Sequence, residues 1–284
     1  MFYLLLALLC SAAISVVLKV GDRRKYDRYG MLTVNYLTCL VAFLVTQIGR
    51  PFPSFGSSLK LCLSLGAVNG FLYLGCMAMN QINVKRNGAI LQSTFARLGV
   101  MVPTLLSILF FGERPSAVEI CAIVLVLVAF SVMNIPDQKK TEETEKTRPA
   151  VSLLLLGLFF GGASDSMSKV FQVYGDSSLD DWFVGITFFF ALLIALVIMF
   201  VKKERIGKTE LAIGIALGVP NYISTLLLLK ALSSVSAYIA YPTYSVGAIL
   251  VVIASSVLIF KEKITKWSRI SVVMIIVAII LLNI

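Results

Sequence analysis

The stretch WFVGITFFFALLIALVIMFV, residues 182–201, decides how this chain is to be read. It opens after Asp180-Asp181, carries no charge, and stops at Lys202-Lys203-Glu204-Arg205. As a helix rising about 1.5 Å per residue it reaches roughly 30 Å, the thickness of a bilayer's hydrocarbon core. A barrel strand would instead alternate apolar and polar over about ten residues. Within lipid the backbone must satisfy its own N–H and C=O groups, and an uninterrupted apolar block does so as an α-helix.

Working outward from this block, nine more of the same kind follow. The expected spans are 2–20, 31–49, 61–81, 88–111, 117–135, 150–174, 182–201, 210–232, 236–260 and 267–284. The first begins at Met1 with no basic n-region, so it is read as a retained helix and not a signal peptide. Of the 284 residues, 58% are hydrophobic and 14% charged. Soluble domains average about 45–50% and about 25%, so the apolar excess exceeds what one core can hide. The fold class expected is an all-α polytopic membrane protein.

The long polar break is Pro136–Pro149, with Lys139, Lys140, Glu142, Glu143, Glu145, Lys146 and Arg148. It separates a five-helix segment at 1–135 from another at 150–284, leaving 136–149 as a linker. The net charge of +10 follows the breaks between spans. Odd breaks are basic, as at Arg23, Arg24, Lys25 and Arg28, or Lys261, Lys263, Lys266 and Arg269. Even breaks carry Arg50, Lys60 and Arg114. The positive-inside rule therefore places odd breaks and linker in the cytoplasm and both termini outside. Charge here encodes topology, so no nucleic-acid partner is expected.

Several chemistries are excluded. The chain has no histidine, which removes His-ligated metals and His-based triads. Its five cysteines, Cys10, Cys39, Cys62, Cys76 and Cys121, fall in spans without metal or redox spacing. No P-loop pattern appears, so ATP is not the direct energy source. No catalytic residue, metal site or cofactor is expected. Asp176, Asp180 and Asp181 form an acidic loop better read as extracytoplasmic than as a membrane enzyme's centre. No selectivity-filter motif or charge ring suggests a channel.

The two halves repeat each other. Leu65-Gly66-Ala67-Val68-Asn69 answers Leu217-Gly218-Val219-Pro220-Asn221, and Lys19-Val20 answers Lys169-Val170. Phe111-Gly112-Glu113-Arg114 answers Phe260-Lys261-Glu262-Lys263, and Ile90 and Thr94 answer Ile239 and Thr243. With five spans per copy, the second copy must be inverted, a recurrent transporter design.

This five-plus-five layout, the Phe-x-Glu-basic ends of helices four and nine, and the helix-end lysines resemble the drug/metabolite transporter superfamily, EamA type. The stretch Ala237-Tyr238-Ile239-Ala240-Tyr241-Pro242-Thr243-Tyr244-Ser245 through Asn283 also resembles the last two helices of small multidrug resistance transporters. The resemblance implies a central cavity lined by helices one, three, four, six, eight and nine, with helices five and ten peripheral. Members of the superfamily move amino acids, sugars, nucleotide derivatives or drugs. The embedded Glu of the small multidrug members is absent: Ser11 and Gly161 stand at those positions.

The residues themselves point to a site. Charge within a span costs about 2.5–3.5 kcal/mol on insertion scales and marks a protein-lined or watery interior. Arg97 lies roughly 14 Å into helix four and Asp165 roughly 22 Å into helix six, from the same side. Arg97 would grip a carboxylate or phosphate; Asp165 would take an amine or hydroxyl, or pair with Lys169 one turn on. The repeat-related Asn69 and Asn221 either bind substrate or hold helices together. Gln92 and Tyr241 are equivalents; Tyr238, Tyr241 and Ser245 share a helix face, with Tyr73 and Tyr244 expected near it. Lys19 and Lys169 snorkel to the membrane faces or gate; Glu113 and Glu262 cap the helices that follow them. Gly66/Gly70, Gly157/Gly161 and Gly214/Gly218 are GxxxG packing pairs, and Pro103, Pro220 and Pro242 are candidate kinks.

The expected function is a secondary transporter, an exporter of a small polar metabolite such as an amino acid, working by alternating access around a central cavity in the plasma membrane. The proton is the coupling ion considered, with Asp165 as its carrier. The partners are the substrate and the lipid bilayer, and the state a monomer or homodimer. The alternatives are a flippase of a lipid or lipid-linked sugar and a multidrug efflux transporter.

Overall fold

The computed structural model describes residues 1–21, 26–54, 56–87, 89–133, 150–258, 261 and 265–282. Every regular element among them is helical. In order they are α1 (Phe2–Gly21), α2 (Arg28–Gln47), α3 (Ser57–Asn87), α4 (Ala89–Leu98), α5 (Met101–Phe110), α6 (Ala117–Met133), α7 (Val151–Tyr174), α8 (Asp180–Lys202), α9 (Lys208–Leu232), α10 (Ala237–Leu258) and α11 (Lys266–Leu282). A single 3₁₀ turn, Ser177–Leu179, leads into α8. Six segments are long and apolar enough to cross a membrane: Arg28–Gln47, Ser57–Val84, Val151–Tyr174, Ser177–Lys202, Lys208–Leu232 and Ala237–Leu258. The segment quoted at the outset lies in the most hydropathic of them, at a mean hydropathy of 3.0.

Two differences from the sequence reading matter. The helix expected at 61–81 runs over Ser57–Asn87, roughly 46 Å at 1.5 Å per residue, which brings Asn83 inside it and leaves Asn80 well within its length. The helix expected at 88–111 is broken into α4 and α5 at Gly99-Val100. Pro103 supplies the reason: it has no N–H to give the Gly99 carbonyl four residues back. That carbonyl accepts from Val102 N–H instead, a tighter turn that ends the regular ladder. Pro220 and Pro242 sit inside unbroken helices.

The chain forms two compact units, each drawn from both halves of the sequence. The first comprises Met1–Leu74 and Met167–Val235. In it α9 packs against α1 and α2, and α2 against α8. Close approach rests on absent side chains: a Cβ on Gly218 would stand 2.7 Å from the Asn35 carbonyl, and one on Gly70 2.7 Å from that of Thr187. The start of α2 is tied down by Glu204, whose carboxylate accepts from Tyr29 and Gly30 N–H, while Lys202 lies 4.2 Å over the Tyr29 ring. Near the other end of α2, Arg50 pairs with Asp181 at 2.9 Å.

The second unit comprises Gly75–Ser166 and Ser236–Ile284. In it α6 packs along α11 and α5 along α10. These are repeat-related pairs, as are α2 and α8 in the first unit, so equivalent helices meet within each unit. The start of α6 carries a Ser116–Glu119 capping box. Glu113 does not cap this following helix, as the sequence reading expected. Its carboxylate accepts from Ala237 and Tyr238 N–H at the start of α10. Ser116 and Glu119 already satisfy the start of α6, and the Glu113 carboxylate meets the first N–H groups of α10 beyond its own N-cap residue Ser236. Glu262, given the same role, lies outside the described residues.

Candidate functional site

In the second unit, the break between α4 and α5 rests on α7. A Cβ on Gly162 would stand 2.7 Å from the Gly99 carbonyl, and one on Gly99 3.4 Å from that of Leu158. Glycine at both points lets the two backbones touch. Arg97, two residues before this crossing, stands in the last turn of α4, where a cation complements the helix's negative end. Asp165 stands three residues beyond it on α7. Its side chain is exposed, and among the described residues no cation lies within 4 Å of its carboxylate. Arg97 is half-buried and, among the described residues, likewise has no acid within 4 Å. The crossing thus collects one carboxylate and one guanidinium that do not neutralise each other.

A neutral polar row continues from there. Gly161, one turn before Asp165 and on its helix face, would meet Cys76 Sγ 3.2 Å from an added Cβ. Asn80 Nδ2 donates to that sulfur at 3.6 Å, and Gln92 Nε2 donates to Asn80 Oδ1 at 2.9 Å. Tyr241, buried on α10, donates its phenol to the main-chain carbonyl of Asp165 at 2.6 Å. Its helix neighbour Tyr238 is engaged elsewhere: its hydroxyl bonds Glu119 at 3.2 Å and its N–H the Glu113 cap. Tyr244 is half-buried on the same helix.

The first unit holds a second polar cluster. Asn221 on α9 accepts from the Tyr73 phenol at 3.0 Å and donates to Asn35 Oδ1 at 3.5 Å. Tyr36, Tyr73 and Phe188 form a closed set of rings with centroids 5.8–6.1 Å apart, the spacing at which edge and offset contacts are favourable. Asn69 is buried and donates to Thr187 at 3.3 Å, next to Phe188 in sequence. The two repeat-related amides therefore both join α-helices by side-chain hydrogen bonds, Asn69 to α8 and Asn221 to α2 and α3. Lys169 does not snorkel: it is buried and donates to Gln172 at 2.9 Å. Gln172, one turn along α7, supplies an acceptor for the ammonium there. The side chain of Lys19 lies outside what the structure describes.

Of the residues singled out from sequence, Arg97, Asp165, Gln92, Tyr241, Tyr238 and Tyr244 belong to the second unit, and Asn69, Asn221, Tyr73 and Lys169 to the first. Sequence reading passed over Cys76 and Asn80, and also Asn35, Tyr36 and Thr187. An amide or hydroxyl inside an apolar block was a usable signal for Asn35 and Thr187. Asn80 looked like the end of a span because α3 runs farther than a bilayer requires.

The model described as the EamA-like transporter family matches residues 1–135 and 148–284. An uncharacterized protein of Haemophilus influenzae is 26% identical over 284 aligned positions, covering 96% of this chain and 94% of its own. A solved crystal structure of a protein superposes with a TM-score of 0.73 at 11% identity, over 99% of this chain and 94% of that one, a likeness of fold.

Proposed function

The chain belongs to the EamA-like transporter family, and from that premise we propose that it exports a small polar metabolite, an amino acid above all, as a secondary transporter working by alternating access. In this reading the six long helices are joined by α1, the α4–α5 pair, α6 and α11 to make ten crossings of the plasma membrane. Residues 1–135 and 150–284 are its two inverted halves, and 136–149 the cytoplasmic linker between them.

The observation that supports the substrate class is the state of Asp165. An exposed carboxylate on a membrane-crossing helix, with no cation within 4 Å among the described residues, calls for water or a ligand cation to offset it. Arg97, in the same unit and with no acid within 4 Å among the described residues, suits a ligand carboxylate through its two parallel donors. A zwitterion offsets both charges at once. Gln92, Tyr241 and Tyr244 would complete the contact surface, with Tyr238 in a supporting position; Asn69, Asn221 and Tyr73 are separate candidates for substrate contact within the first unit. Lys169 and Lys19 are the candidates for gating, and the proton is the coupling ion we favour, carried by Asp165.

The test is counterflow of labelled amino acids, sugars, nucleobases and dyes in proteoliposomes. Amino-acid counterflow that falls at least tenfold in both Asp165→Asn and Arg97→Gln, at equal reconstituted protein, is the expected result. Undiminished counterflow in both variants would overturn the assignment of these residues. Stimulation by an imposed pH gradient, lost in Asp165→Asn, would identify the coupling.

A further inference from the structure

The second unit carries a groove of about 610 Å³ that the transport reading does not use. It is walled by Leu250, Ile253, Ala254, Val257 and Leu258 of α10, Val272 and Val273 of α11, and one polar residue, Arg269. Leu250 to Leu258 covers roughly 12 Å along the helix, most of the roughly 15 Å depth of one leaflet's hydrocarbon. The groove lies beside the end of α10 and the start of α11 and extends along both helices. Arg269 stands at the loop end, exposed, on the first turn of α11.

The described residues that lead into α11 are basic: Lys261, Lys266 and Arg269. Lys266 lies 5.1 Å from the centroid of the Trp267 ring, and an indole with a neighbouring ammonium is the pattern of a headgroup-level anchor. Apolar surface is exposed on many helices here, as on any lipid-facing protein. What sets this place apart is a concave apolar track that ends in a guanidinium. A free phosphate would have no use for the track, and a neutral lipid none for the cations.

We propose that the α10–α11 groove is a binding site for an anionic phospholipid, one acyl chain lying along α10 and the phosphate held by Arg269 and Lys266. The site would fasten this end of the second unit to the anionic, cytoplasmic leaflet. It stands independently of the substrate assigned above.

The test uses the full chain with Trp182→Phe, which leaves Trp267 as its one tryptophan, excited selectively over the tyrosines in vesicles with brominated lipid. Brominated phosphatidylglycerol should quench Trp267 at least tenfold more effectively than brominated phosphatidylcholine at equal mole fraction. Arg269→Gln should cut that preference about fivefold, the worth of one cation at an anionic surface. Ala254→Phe, which fills the track, should abolish the preference while leaving the melting temperature and the size in detergent unchanged. Equal quenching by the two lipids overturns the proposal. So does displacement by inorganic phosphate, which would mean an anion site without a chain. A change of oligomeric state in Ala254→Phe overturns it too, by making the groove a contact between copies.

Discussion

The phenol of Tyr241 on α10 donates to the main-chain carbonyl of Asp165 on α7 at 2.6 Å. The bond is made to backbone, so it fixes where α7 stands and does not involve the Asp165 carboxylate. Tyr241→Phe keeps the ring and deletes the donor. The expected loss is about 0.5–1.5 kcal/mol, read as a lowered melting temperature in detergent. If α10 positions the carboxylate for substrate, transport should fall more than stability does: a severalfold drop in counterflow at a temperature where the variant is fully folded. An unchanged rate would make Tyr241 a packing residue alone.

Asp165 itself separates charge from shape. Asp165→Asn keeps the volume and removes the anion, and counterflow of a substrate carrying an amine should drop at least tenfold. Asp165→Glu keeps the charge one methylene farther from α7 and should retain a measurable fraction. Equal loss in both variants would mean that geometry, not charge, is what the position supplies.

Asn221 sits between two partners, Tyr73 and Asn35. Asn221→Ala removes the acceptor of one and a donor to the other in a buried setting, at a cost of about 1–3 kcal/mol. Asn221→Asp should cost more, since burying a charge without a cation is harder than burying an amide. Melting in detergent measures both. If alanine at 221 leaves stability intact but abolishes ligand-induced stabilisation, the amide serves substrate and not the α2–α3–α9 contact.

The membrane class and the helices were legible because lipid imposes one rule on long uninterrupted apolar blocks, and the 182–201 block obeys it plainly. The break at Gly99 was half legible: Pro103 announced a disturbance, but whether a helix bends or parts depends on what it leans on. Here that is Gly162, whose lack of a side chain lets the loosened turn rest directly on α7. The site was legible where charge is anomalous, as at Arg97 and Asp165. It was not legible in Cys76 and Asn80, because neither is unusual alone. They matter through neighbours on α4 and α7, and spacing along one helix says nothing of what a second helix brings up to it. Lys169 misled for the same reason, its partner Gln172 being ordinary in sequence.

Close approach of α9 to α2 should be unforgiving. A Cβ at Gly218 would press on the Asn35 carbonyl and on Thr38, one a backbone atom and the other a side chain bonded to its own helix. Gly218→Ala should destabilise by about 1–3 kcal/mol, the usual cost of overpacking. Gly218→Leu should prevent recovery of a monodisperse protein. Size-exclusion profiles and melting curves in one detergent give both answers, and a silent Gly218→Leu would show that α2 and α9 can part freely.

The cap on α10 offers a local handle on the second unit. Glu113 comes from the connection after α5 and accepts from Ala237 and Tyr238 N–H, so it joins α5 to the start of its repeat-related helix. A carboxylate there satisfies two orphan donors and complements the positive end of the helix. Glu113→Ala leaves both donors to water and should cost about 0.5–2 kcal/mol. Glu113→Gln, which keeps one acceptor oxygen but no charge, should fall between. Tyr238 also bonds Glu119 through its hydroxyl, so Tyr238→Phe combined with Glu113→Ala should cost less than the two changes added separately, because a start of α10 already frayed has less to lose. Hydrogen exchange at Ala237–Tyr241 measures this directly: protection there should drop in Glu113→Ala while the amides of α2 in the first unit keep theirs. Equal loss in both places would show that the cap stabilises the whole molecule and not the end of one helix.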